Sequence, residues 1–364
     1  MKMNRREIEN KVGNLSQVFG TRKYQLLEGN NNGTRIIDVN TGSGLEYSVV
    51  LDRAMDISIA RYKGLNLTHL TLNGEVNPGF YESFGKEWGR IFFGGMVTTC
   101  GLTTIGPPGK DEEDILGLHG RISAIPAKNV CDLSGWNKNK YNIEVRGIIE
   151  ETVQMGYKLR LKRTIKSVAM KPIIRIEDEV ENIGSKQSPF SILYHINFGY
   201  PLLDEMTQII INSEYIKPFD KYSKSKQENM WEISKPISGY KEENYLCKGL
   251  VDKNGYINAA IINEKMEGGI AVYIKASANT LPYFCYWKML DMKDYVVAIE
   301  PSNSICENRK VLRENNMLET IDPGDKKKMT VEIEVIEGIQ KIRRLKYKGN
   351  TCRFSSCIMC EPQY

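Results

Sequence analysis

Apolar and polar residues alternate with a period of two through most of this chain, and this pattern constrains the fold more than any other feature. From Lys158 to Ile165 the apolar positions alternate mainly with cationic ones, and from Ile174 to Val180 they alternate mainly with acidic ones. Each run predicts a strand with one buried face. The opposite charges on the two outward faces predict that these strands are antiparallel neighbours with cross-strand ion pairs.

Similar runs predict many further strands. They lie at Arg35–Val39, Tyr47–Leu51, Ile57–Tyr62, Tyr141–Ile149, Ile257–Asn263, Ile270–Ile274, Tyr295–Glu300 and Thr330–Ile336. Turn-forming residues separate the runs, as in Asn30–Gly33 and Asp322–Asp325. Many short strands at regular spacing predict an all-β fold, a large antiparallel β-sandwich.

The chain has 364 residues, a length that would allow two domains. No break in composition divides it, so we predict one β-sandwich domain over residues 21–340. Residues 1–20 form an N-terminal segment with weak helical periodicity from Arg5 to Val18. Residues 341–364 form a basic tail that contains cysteines.

Composition narrows the class of protein and its partners. The formal net charge is +5, a mild excess that no zinc motif or aromatic-basic pattern accompanies, so we expect no nucleic-acid partner. The N-terminus lacks the apolar core of a signal peptide, and no apolar stretch approaches the roughly 18 residues that span a bilayer. We therefore expect a cytoplasmic protein without a membrane partner.

Cysteine positions favour reduced thiols. Five cysteines are scattered among apolar residues, as buried thiols usually are: Cys100, Cys131, Cys247, Cys285 and Cys306. The other three, Cys352, Cys357 and Cys360, lie near the end of the chain. A metal clip there would need a fourth ligand, which is missing nearby, so a loose tail with reactive thiols is the interpretation we prefer.

Two segments break the strand pattern. Residues 89–108 contain five glycines within apolar sequence, which mark bulges, close approach of the backbone to another group, or tight packing of sheets. Residues 107–114 (PPGKDEED) predict an exposed loop. This loop leads directly to His119.

Only three histidines are present, which excludes a site built from many histidines. His119 follows a loop and precedes a glycine, where a side chain has room for a ligand. His195 ends an apolar strand and is followed two residues later by Asn197, and such a polar pair on a strand indicates a polar site or a buried hydrogen bond. His69 has no polar neighbours and is interpreted as a structural strand residue.

Glu300 closes the apolar strand that begins at Tyr295. A carboxylate at the end of a buried strand loses part of its hydration, which raises its pKa toward the range of a general base at neutral pH. Aromatic residues lie a short way upstream at Tyr283, Phe284, Tyr286 and Trp287. Such faces can stack on a sugar ring, although they are equally common in a β core.

Together these motifs resemble the galactose mutarotase (aldose 1-epimerase) superfamily, and most closely an uncharacterised bacterial branch of it. The resemblance covers about Gly20 to Ile336. The resemblance rests on six segments: LDRAMDI at residues 51–57, FGG at 93–95, TTCGL at 98–102, LHGRIS at 118–123, YHIN at 194–197 and IEP at 299–301. LHG and the late EP are similar to characterised mutarotases, whereas TTCGL and LDR look specific to the uncharacterised branch.

The resemblance implies a β-sandwich whose active site lies in a cleft on one sheet face, and an isomerase mechanism without a cofactor. Glu300 would take the proton of the anomeric hydroxyl, and His195 would protonate the ring oxygen. Ring opening removes one proton and adds one, so an acid and a base on opposite sides suffice. His119 would bind the sugar near its ring oxygen, and Arg90 would contact its hydroxyls.

Other parts of the predicted site are less specific. Asn197, Arg53 and Lys288 are further candidates for binding the substrate, and Arg121 could serve in place of Arg90. The family commonly has an asparagine four residues after the histidine, whereas Asn197 follows His195 by two. The family's substrate-binding aspartate has no clear counterpart, Asp204 and Asp291 being candidates.

Two alternatives use the same residues. Two histidines and one carboxylate could form the ligand set of a metal-dependent sugar isomerase. A carbohydrate-binding protein could keep the cleft without turnover, since one fold supports many functions. The sequence leaves open whether the sugar is neutral, phosphorylated or acidic, and it leaves open the oligomeric state, with a homodimer as one candidate.

Overall fold

The computed structural model describes residues 4–266 and 268–349 of the chain, and antiparallel strands dominate it. In chain order the strands are β1 (Gly20–Gln25), β2 (Arg35–Asn40), β3 (Leu45–Val50), β4 (Asp56–Tyr62), β5 (Leu65–Asn66), β6 (Thr98–Leu102), β7 (Gly109–Asp111), β8 (Asp114–Leu116), β9 (Lys128–Asp132), β10 (Gly135–Asn137), β11 (Lys140–Thr152), β12 (Lys158–Val168), β13 (Ile173–Asn182), β14 (Ser188–Pro189), β15 (Ser191–His195), β16 (Asn197–Phe198), β17 (Gln208–Ile211), β18 (Ser213–Pro218), β19 (Glu243–Gly249), β20 (Tyr256–Asn263), β21 (Ile270–Ser277), β22 (Tyr283–Leu290), β23 (Tyr295–Ser302), β24 (Thr320–Ile321) and β25 (Lys326–Glu337).

Helices are few and short. The α-helices are α1 (Arg5–Glu9), α2 (Lys221–Lys226), α3 (Arg309–Glu314) and α4 (Ile339–Gly349). Single 3₁₀ turns lie at Leu15–Gln17, Gly29–Asn31, Pro78–Phe80, Glu87–Arg90, Ile122–Ala124 and Gln227–Asn229. None of the helices in the described part of the chain combines the length and the apolar character needed to cross a membrane.

Two large sheets form the body of the molecule. In the nine-stranded sheet the order is β10-β11-β12-β13-β25-β21-β20-β17, with β9 also paired to β11, and in the seven-stranded sheet it is β18-β19-β22-β23-β15-β6, with β16 paired to β23. Strands β1 to β5 form a third sheet in sequence order. Apolar side chains from all three sheets meet in one core, including Val49, Leu161, Ile176, Tyr286 and Ile299. The predicted antiparallel β-sandwich is therefore confirmed.

Strands β12 and β13 show how the period-two pattern builds this core. Alternate residues of both strands are buried, and the two strands pair antiparallel with Lys162 opposite Glu179. The Nζ of Lys162 lies 3.3 Å from Oε1 of Glu179. The predicted cross-strand pairing of opposite charges is therefore confirmed.

The inward face of β12 and β13 also carries charges that the pattern did not predict. Arg163 and Asp178 are buried, and Nη2 of Arg163 lies 2.7 Å from Oδ2 of Asp178. Nη1 of the same guanidinium lies 2.9 Å from Oδ1 of the buried Asp56. The hydroxyl of Tyr194 donates to Asp178 at 2.7 Å. This buried network links the nine-stranded sheet to β15, which carries His195.

Close backbone approach explains four of the five glycines in residues 89–108, whereas a Cβ at Gly89 would meet open space. A Cβ added at Gly94 would overlap the carbonyl of His69, and one added at Gly101 would overlap the carbonyl of Ser191. At Gly106 the overlap would be with the carbonyl of Glu307. These glycines let chain segments that carry site residues pass each other at backbone distance.

Residues 107–114 are partly exposed, as the sequence predicted, with Pro107, Lys110, Glu112 and Glu113 in solvent, but they do not form an irregular loop. They lead into the hairpin of β7 and β8, in which Asp111 is buried. Oδ2 of Asp111 lies 2.6 Å from Nε of the buried Arg309 and 2.8 Å from Nη2 of Arg313. The acidic composition suggested solvent exposure, but the two arginines of α3 hold this carboxylate inside.

The cysteine prediction is wrong for one residue. Cys131 lies exposed on β9, whereas Cys100, Cys247 and Cys285 are buried and Cys306 is half-buried. Strand β9 pairs only through β11, at the periphery of the sheet, which leaves the thiol in solvent. Cys352, Cys357 and Cys360 lie outside the described residues.

The two ends of the chain differ in extent from the prediction. At the N-terminus, α1 ends at Glu9, and only a 3₁₀ turn follows before β1. At the other end α4 begins at Ile339 and covers residues that the sequence assigned to the tail. Ile342 of this helix is fully buried against the nine-stranded sheet.

Candidate active site

One face of the seven-stranded sheet forms the floor of a cavity. Because successive residues of a strand point to opposite faces, Cys285 and Trp287 of β22 face the cavity while Tyr286 points into the core. Glu300 of β23 stands directly opposite Cys285 in the ladder. Strand β15 brings His195 to the same face.

The cavity has a volume of about 580 Å³, a size typical of small-molecule sites. Its lining combines aromatic, acidic and imidazole side chains. The lining residues are Lys86, Trp88, Gly89, Phe92, Pro107, Pro108, Leu118, His119, His195, Phe219, Asp220, Glu242, Asn244, Cys285, Trp287, Glu300, Cys306 and Glu307.

His195 and Glu300 form a contact pair at the bottom of this cavity. Nε2 of His195 lies 3.1 Å from Oε1 of Glu300, and the two side chains are 7% and 6% exposed. The approach is not aligned as a hydrogen bond, and Oε1 has no other hydrogen-bond partner among the described residues. An acid and a base are thus both present at one point of the wall.

Burial sets the charge of this pair. It raises the pKa of Glu300 well above that of an ordinary glutamate, and the charge of Glu242 adds to the rise. Burial also lowers the pKa of His195 well below that of an ordinary histidine, with His119 adding to the fall. Both shifts disfavour the charged forms, so burial favours the state in which a protonated Glu300 lies beside a neutral His195.

The backbone holds His119 at the side of the cavity. Its amide donates to the carbonyl of Gly106 at 3.2 Å, and its carbonyl accepts from the amide of Gly101 at 3.0 Å. His119 has φ +59° and Gly120 has φ +75°. At Gly120 any Cβ would overlap the carbonyl of Gly101, so this turn requires glycine there.

Hydrogen bonding fixes the ring of His119. Its Nδ1 lies 2.7 Å from the carbonyl oxygen of Ile105, and burial lowers its pKa to about 4. The imidazole is therefore neutral at physiological pH. The ring centroids of His119 and His195 are 6.0 Å apart, so both can contact one small ligand.

Aromatic rings surround the two histidines. The ring of Trp88 stacks on Phe92 with centroids 4.7 Å apart and meets His119 edge-on at 4.6 Å. Trp287 meets His195 edge-on at 5.4 Å. Flat apolar walls of this kind suit the C–H faces of a sugar ring.

Carboxylates outnumber cations along the cavity. Glu242, Asp220 and Glu307 line it together with Glu300, whereas Lys86 is the one lysine or arginine among the lining residues. Oε2 of Glu242 accepts a 2.9 Å hydrogen bond from Nε1 of Trp287. The cavity thus offers acceptors for sugar hydroxyls and little to attract an anion.

Two of the predicted substrate-binding arginines lie away from the cavity lining. Arg90 projects into solvent, 77% exposed, and pairs with Glu87. Arg53 is fully buried, where it donates to the carbonyls of Ser123 and Val76. Burial lowers its pKa to about 10. The structure assigns Arg53 to the core, so the prediction that it binds substrate is corrected.

Lys288 also belongs to the core side of its strand. It follows Trp287 on β22 and therefore points away from the cavity. Its Nζ lies 3.1 Å from Oε2 of the buried Glu243 and within 3.4 Å of the carbonyls of Asn229, Met230 and Glu232. The prediction that Lys288 contacts substrate is corrected on this ground.

Asn197 lies behind His195 rather than in the cavity lining. Its Nδ2 donates to the carbonyls of Gly94, Gly95 and His195 at 2.9–3.1 Å. Because carbonyls only accept, these bonds fix the orientation of the amide. Oδ1 of Asn197 and Nδ1 of His195 are both buried without an aligned partner, and Asn197 opposes the fall in the pKa of His195.

The remaining candidates lie outside the lining as well. Arg121 is exposed and donates to Ser83 at 2.9 Å, while Asp204 and Asp291 cap local turns. His69 is buried, and its carbonyl accepts from the amide of Gly95 at 2.7 Å. Of the predicted site residues, His119, His195 and Glu300 are brought together.

Sequence reasoning missed Trp88, Phe92 and Glu242. Trp88 lies in the 3₁₀ turn Glu87–Arg90, and no periodicity marks so short an element. Glu242 immediately precedes β19, a strand with both faces largely buried and therefore without clear alternation. The aromatic cluster that includes Trp287 was recognised, and the structure places Trp287 in the cavity wall.

A metal ion in this cavity would need several donor side chains that converge on one point. Within residues 4–266 and 268–349, no group of three or more histidine, cysteine, aspartate or glutamate side chains has the arrangement of a metal site. His119 directs Nδ1 to a backbone carbonyl and leaves only Nε2 for a ligand.

Sequence and structure comparisons place this chain among known proteins. The family described as "Domain of unknown function (DUF4432)" matches residues 31–335. No curated protein is similar enough in sequence to match the chain.

The fold is similar to several solved structures. A Klebsiella pneumoniae protein provisionally described as an aldose 1-epimerase gives a TM-score of 0.86 at 22% identity, over 99% of this chain and 98% of that chain. A galactose mutarotase-like protein from Clostridium acetobutylicum gives 0.61 at 15% identity, over 88% and 99%. Galactose 1-epimerase from Lactobacillus acidophilus gives 0.56 at 14% identity, over 88% and 99%. The fold is galactose mutarotase-like.

Proposed function

Because the chain belongs to the DUF4432 family, a domain of unknown function, we propose its reaction from the chemistry of its cavity: an aldose 1-epimerase-like isomerisation. In this reaction a cyclic sugar opens and recloses at its anomeric carbon. The observation that carries the proposal is the 3.1 Å contact between His195 and Glu300 in the wall of a cavity of sugar size.

Ring opening needs two proton transfers, one from the sugar and one to it. Glu300 takes the proton of the anomeric hydroxyl, and His195 gives a proton to the ring oxygen, so that the C1–O5 bond breaks as the C1 carbonyl forms. Rotation about C1–C2 then exposes the other face of the carbonyl. The reverse transfers close the ring as the other anomer.

The charge of the resting pair fits this role. A protonated Glu300 beside a neutral His195 differs from a carboxylate beside an imidazolium only by movement of one proton over a short distance. The pair can therefore reach its reactive form without exchanging a proton with solvent. In this uncharged state the pair holds the single proton that the cycle needs.

Binding falls to the remaining wall residues. Trp88 and Trp287 provide apolar faces for the C–H groups of the ring, and Glu242 accepts hydrogen bonds from hydroxyls while its other oxygen accepts from Trp287. We propose Glu242 as the substrate-binding carboxylate, for which the sequence showed no clear counterpart.

We also infer that the substrate is an uncharged sugar. Three carboxylates besides Glu300 line the cavity, against the single ammonium of Lys86, which is exposed to solvent. A phosphate or carboxylate group would meet like charges there, and the predicted substrate-binding residues Arg53 and Lys288 are buried away from the cavity lining.

A panel of sugars tests the reaction and the substrate class together. NMR saturation exchange between the two anomer signals is measured for neutral, phosphorylated and acidic sugars with the wild-type protein. We expect exchange above the spontaneous rate for at least one neutral sugar and none for its 6-phosphate. No exchange for any sugar contradicts the proposed reaction, and binding without exchange supports a carbohydrate-binding protein instead.

A further inference from the structure

We propose that His119 acts only as a hydrogen-bond acceptor, that it binds a hydroxyl of the sugar other than the anomeric one, and that it thereby determines which sugars are used. The inference rests on the proposed function, because it concerns the same cavity. It differs from a role in which His119 donates to the ring oxygen.

Contact with Ile105 determines where the proton of the neutral His119 ring lies. Nδ1 is 2.7 Å from the carbonyl oxygen of Ile105, and a carbonyl oxygen can only accept. Nδ1 must therefore carry the hydrogen. A neutral imidazole has one protonated nitrogen, so Nε2 presents a lone pair.

Surrounding contacts favour this orientation of the ring. The thiol of Cys306 donates to the same carbonyl at 3.2 Å, and Trp88 packs edge-on against the ring at 4.6 Å. Backbone hydrogen bonds on both sides of His119 hold the turn. Turning the ring over would replace the Nδ1 hydrogen bond by a carbon atom facing the carbonyl.

Protonation does not change this assignment at working pH. Burial lowers the pKa of His119 to about 4, so the imidazolium, which would donate from both nitrogens, is a minor species near pH 7. Nε2 makes no hydrogen bond with the described residues, and it is not among the buried unpaired atoms of the chain, so it remains accessible from the cavity.

An acceptor at this point selects for a donor on the substrate. The ring oxygen of a sugar carries no hydrogen, so it cannot bind Nε2 of His119 and is left to His195. The anomeric hydroxyl is engaged by Glu300. The donor must then be another hydroxyl, close enough to the ring oxygen for two imidazoles 6.0 Å apart to contact one sugar. A deoxy sugar lacking it leaves Nε2 without a donor.

Monodeoxy sugars locate this hydroxyl. For a neutral sugar that the wild-type protein turns over, kcat/KM is measured for the parent and for each deoxy analogue, with wild type, His119→Phe and the control Phe92→Leu. We expect one analogue to lose about tenfold to a hundredfold with wild type. That penalty should disappear in His119→Phe. It should persist in Phe92→Leu, because this control changes an apolar side chain of the cavity wall and removes no polar group.

Two patterns overturn the proposal. One is a deoxy penalty that is unchanged in His119→Phe, and the other is a penalty that both variants remove. The wild-type rates distinguish failure of the proposed function from failure of this inference. Absence of turnover with every sugar contradicts the proposed function. Turnover without a penalty that depends on His119 contradicts only the inference about His119.

Ring-nitrogen NMR gives an independent test that needs no folded variant of His119. With only three histidines in the chain, long-range ¹H–¹⁵N spectra resolve each tautomer, and variants of His69 and His195 assign the signals. We expect His119 to show protonated Nδ1 and unprotonated Nε2 at pH 7. A protonated Nε2 at that pH overturns the proposal whatever the kinetics.

Discussion

Nε1 of Trp287 donates a hydrogen bond of 2.9 Å to Oε2 of Glu242. Trp287 stands edge-on to His195, and Glu242 raises the pKa of Glu300. One hydrogen bond therefore ties an aromatic wall of the cavity to the charge that acts on the proposed base.

Replacing Glu242 by Gln tests this electrostatic link. The amide keeps an oxygen that can accept from Trp287 but loses the charge, so the pKa of Glu300 falls. The high-pH limb of kcat/KM, which reports loss of the pair's proton, should move to lower pH by about half a unit or less, because Glu242 is exposed and screened. A shift to higher pH would contradict the link, and Glu228→Gln, outside the cavity lining, is the control.

The wild-type activity should fall at both low and high pH. The low-pH limb adds a second proton to the pair, and since the pKa of His195 is lowered, this limb lies below pH 6.5. The high-pH limb removes the pair's only proton, and since the pKa of Glu300 is raised, it lies well above 4.5. Measurement of kcat/KM against pH checks both limbs. A low-pH limb at or above 6.5 would contradict the account.

Asp178→Asn should strongly destabilise the protein. The change leaves the buried Arg163 with one of its two carboxylate partners and weakens the bond from Tyr194. Breaking one side of a buried ion pair costs about 3–5 kcal/mol, measured as the free energy of unfolding in denaturant. The matched control on the same strand is Glu179→Gln, at the solvated face, which should cost less than about 1 kcal/mol. Equal losses for both variants would argue against a structural network.

Gly106→Ala should damage both stability and activity. The added methyl group overlaps the carbonyl of Glu307, so two cavity walls must separate, and the carbonyl of Gly106 that binds the amide of His119 moves with them. We expect a loss of about 1–3 kcal/mol in stability and a fall in kcat/KM. Gly135→Ala, where a methyl group meets open space, should leave both quantities unchanged. Wild-type activity in Gly106→Ala would show that the walls can move apart freely.

Much of the fold could be predicted because half-buried strands show their burial in the sequence. Strands β12 and β13 alternate cleanly, since one face meets the core and the other meets water. Strand β22 does not alternate, because its outer face is the cavity floor and is itself largely buried, so it was seen only as a group of aromatic residues. The charged core residues Arg163 and Asp178 were hidden because their further partners, Asp56 and Tyr194, lie on strands β4 and β15, far away in the sequence.

The site was predictable where rare residue types coincide with a break in pattern. His119 and His195 met that condition, whereas Glu300 was found because it closes an apolar strand, and the resemblance assigned the roles of all three. Arg53 and Lys288 were predicted to bind the substrate, whereas each is buried and donates to backbone carbonyls. The presence of Trp88 and Glu242 in the cavity wall depends on which turns approach the sheet. No local sequence pattern encodes that approach.

The most direct test of the central claim is the anomer exchange rate of Glu300→Gln, by NMR saturation exchange with the best neutral sugar. Gln has the same shape as Glu but cannot take the anomeric proton. The account predicts an unchanged melting temperature, retained sugar binding and a loss of exchange of about a hundredfold to ten-thousandfold. Exchange at the wild-type rate in this variant would contradict the account.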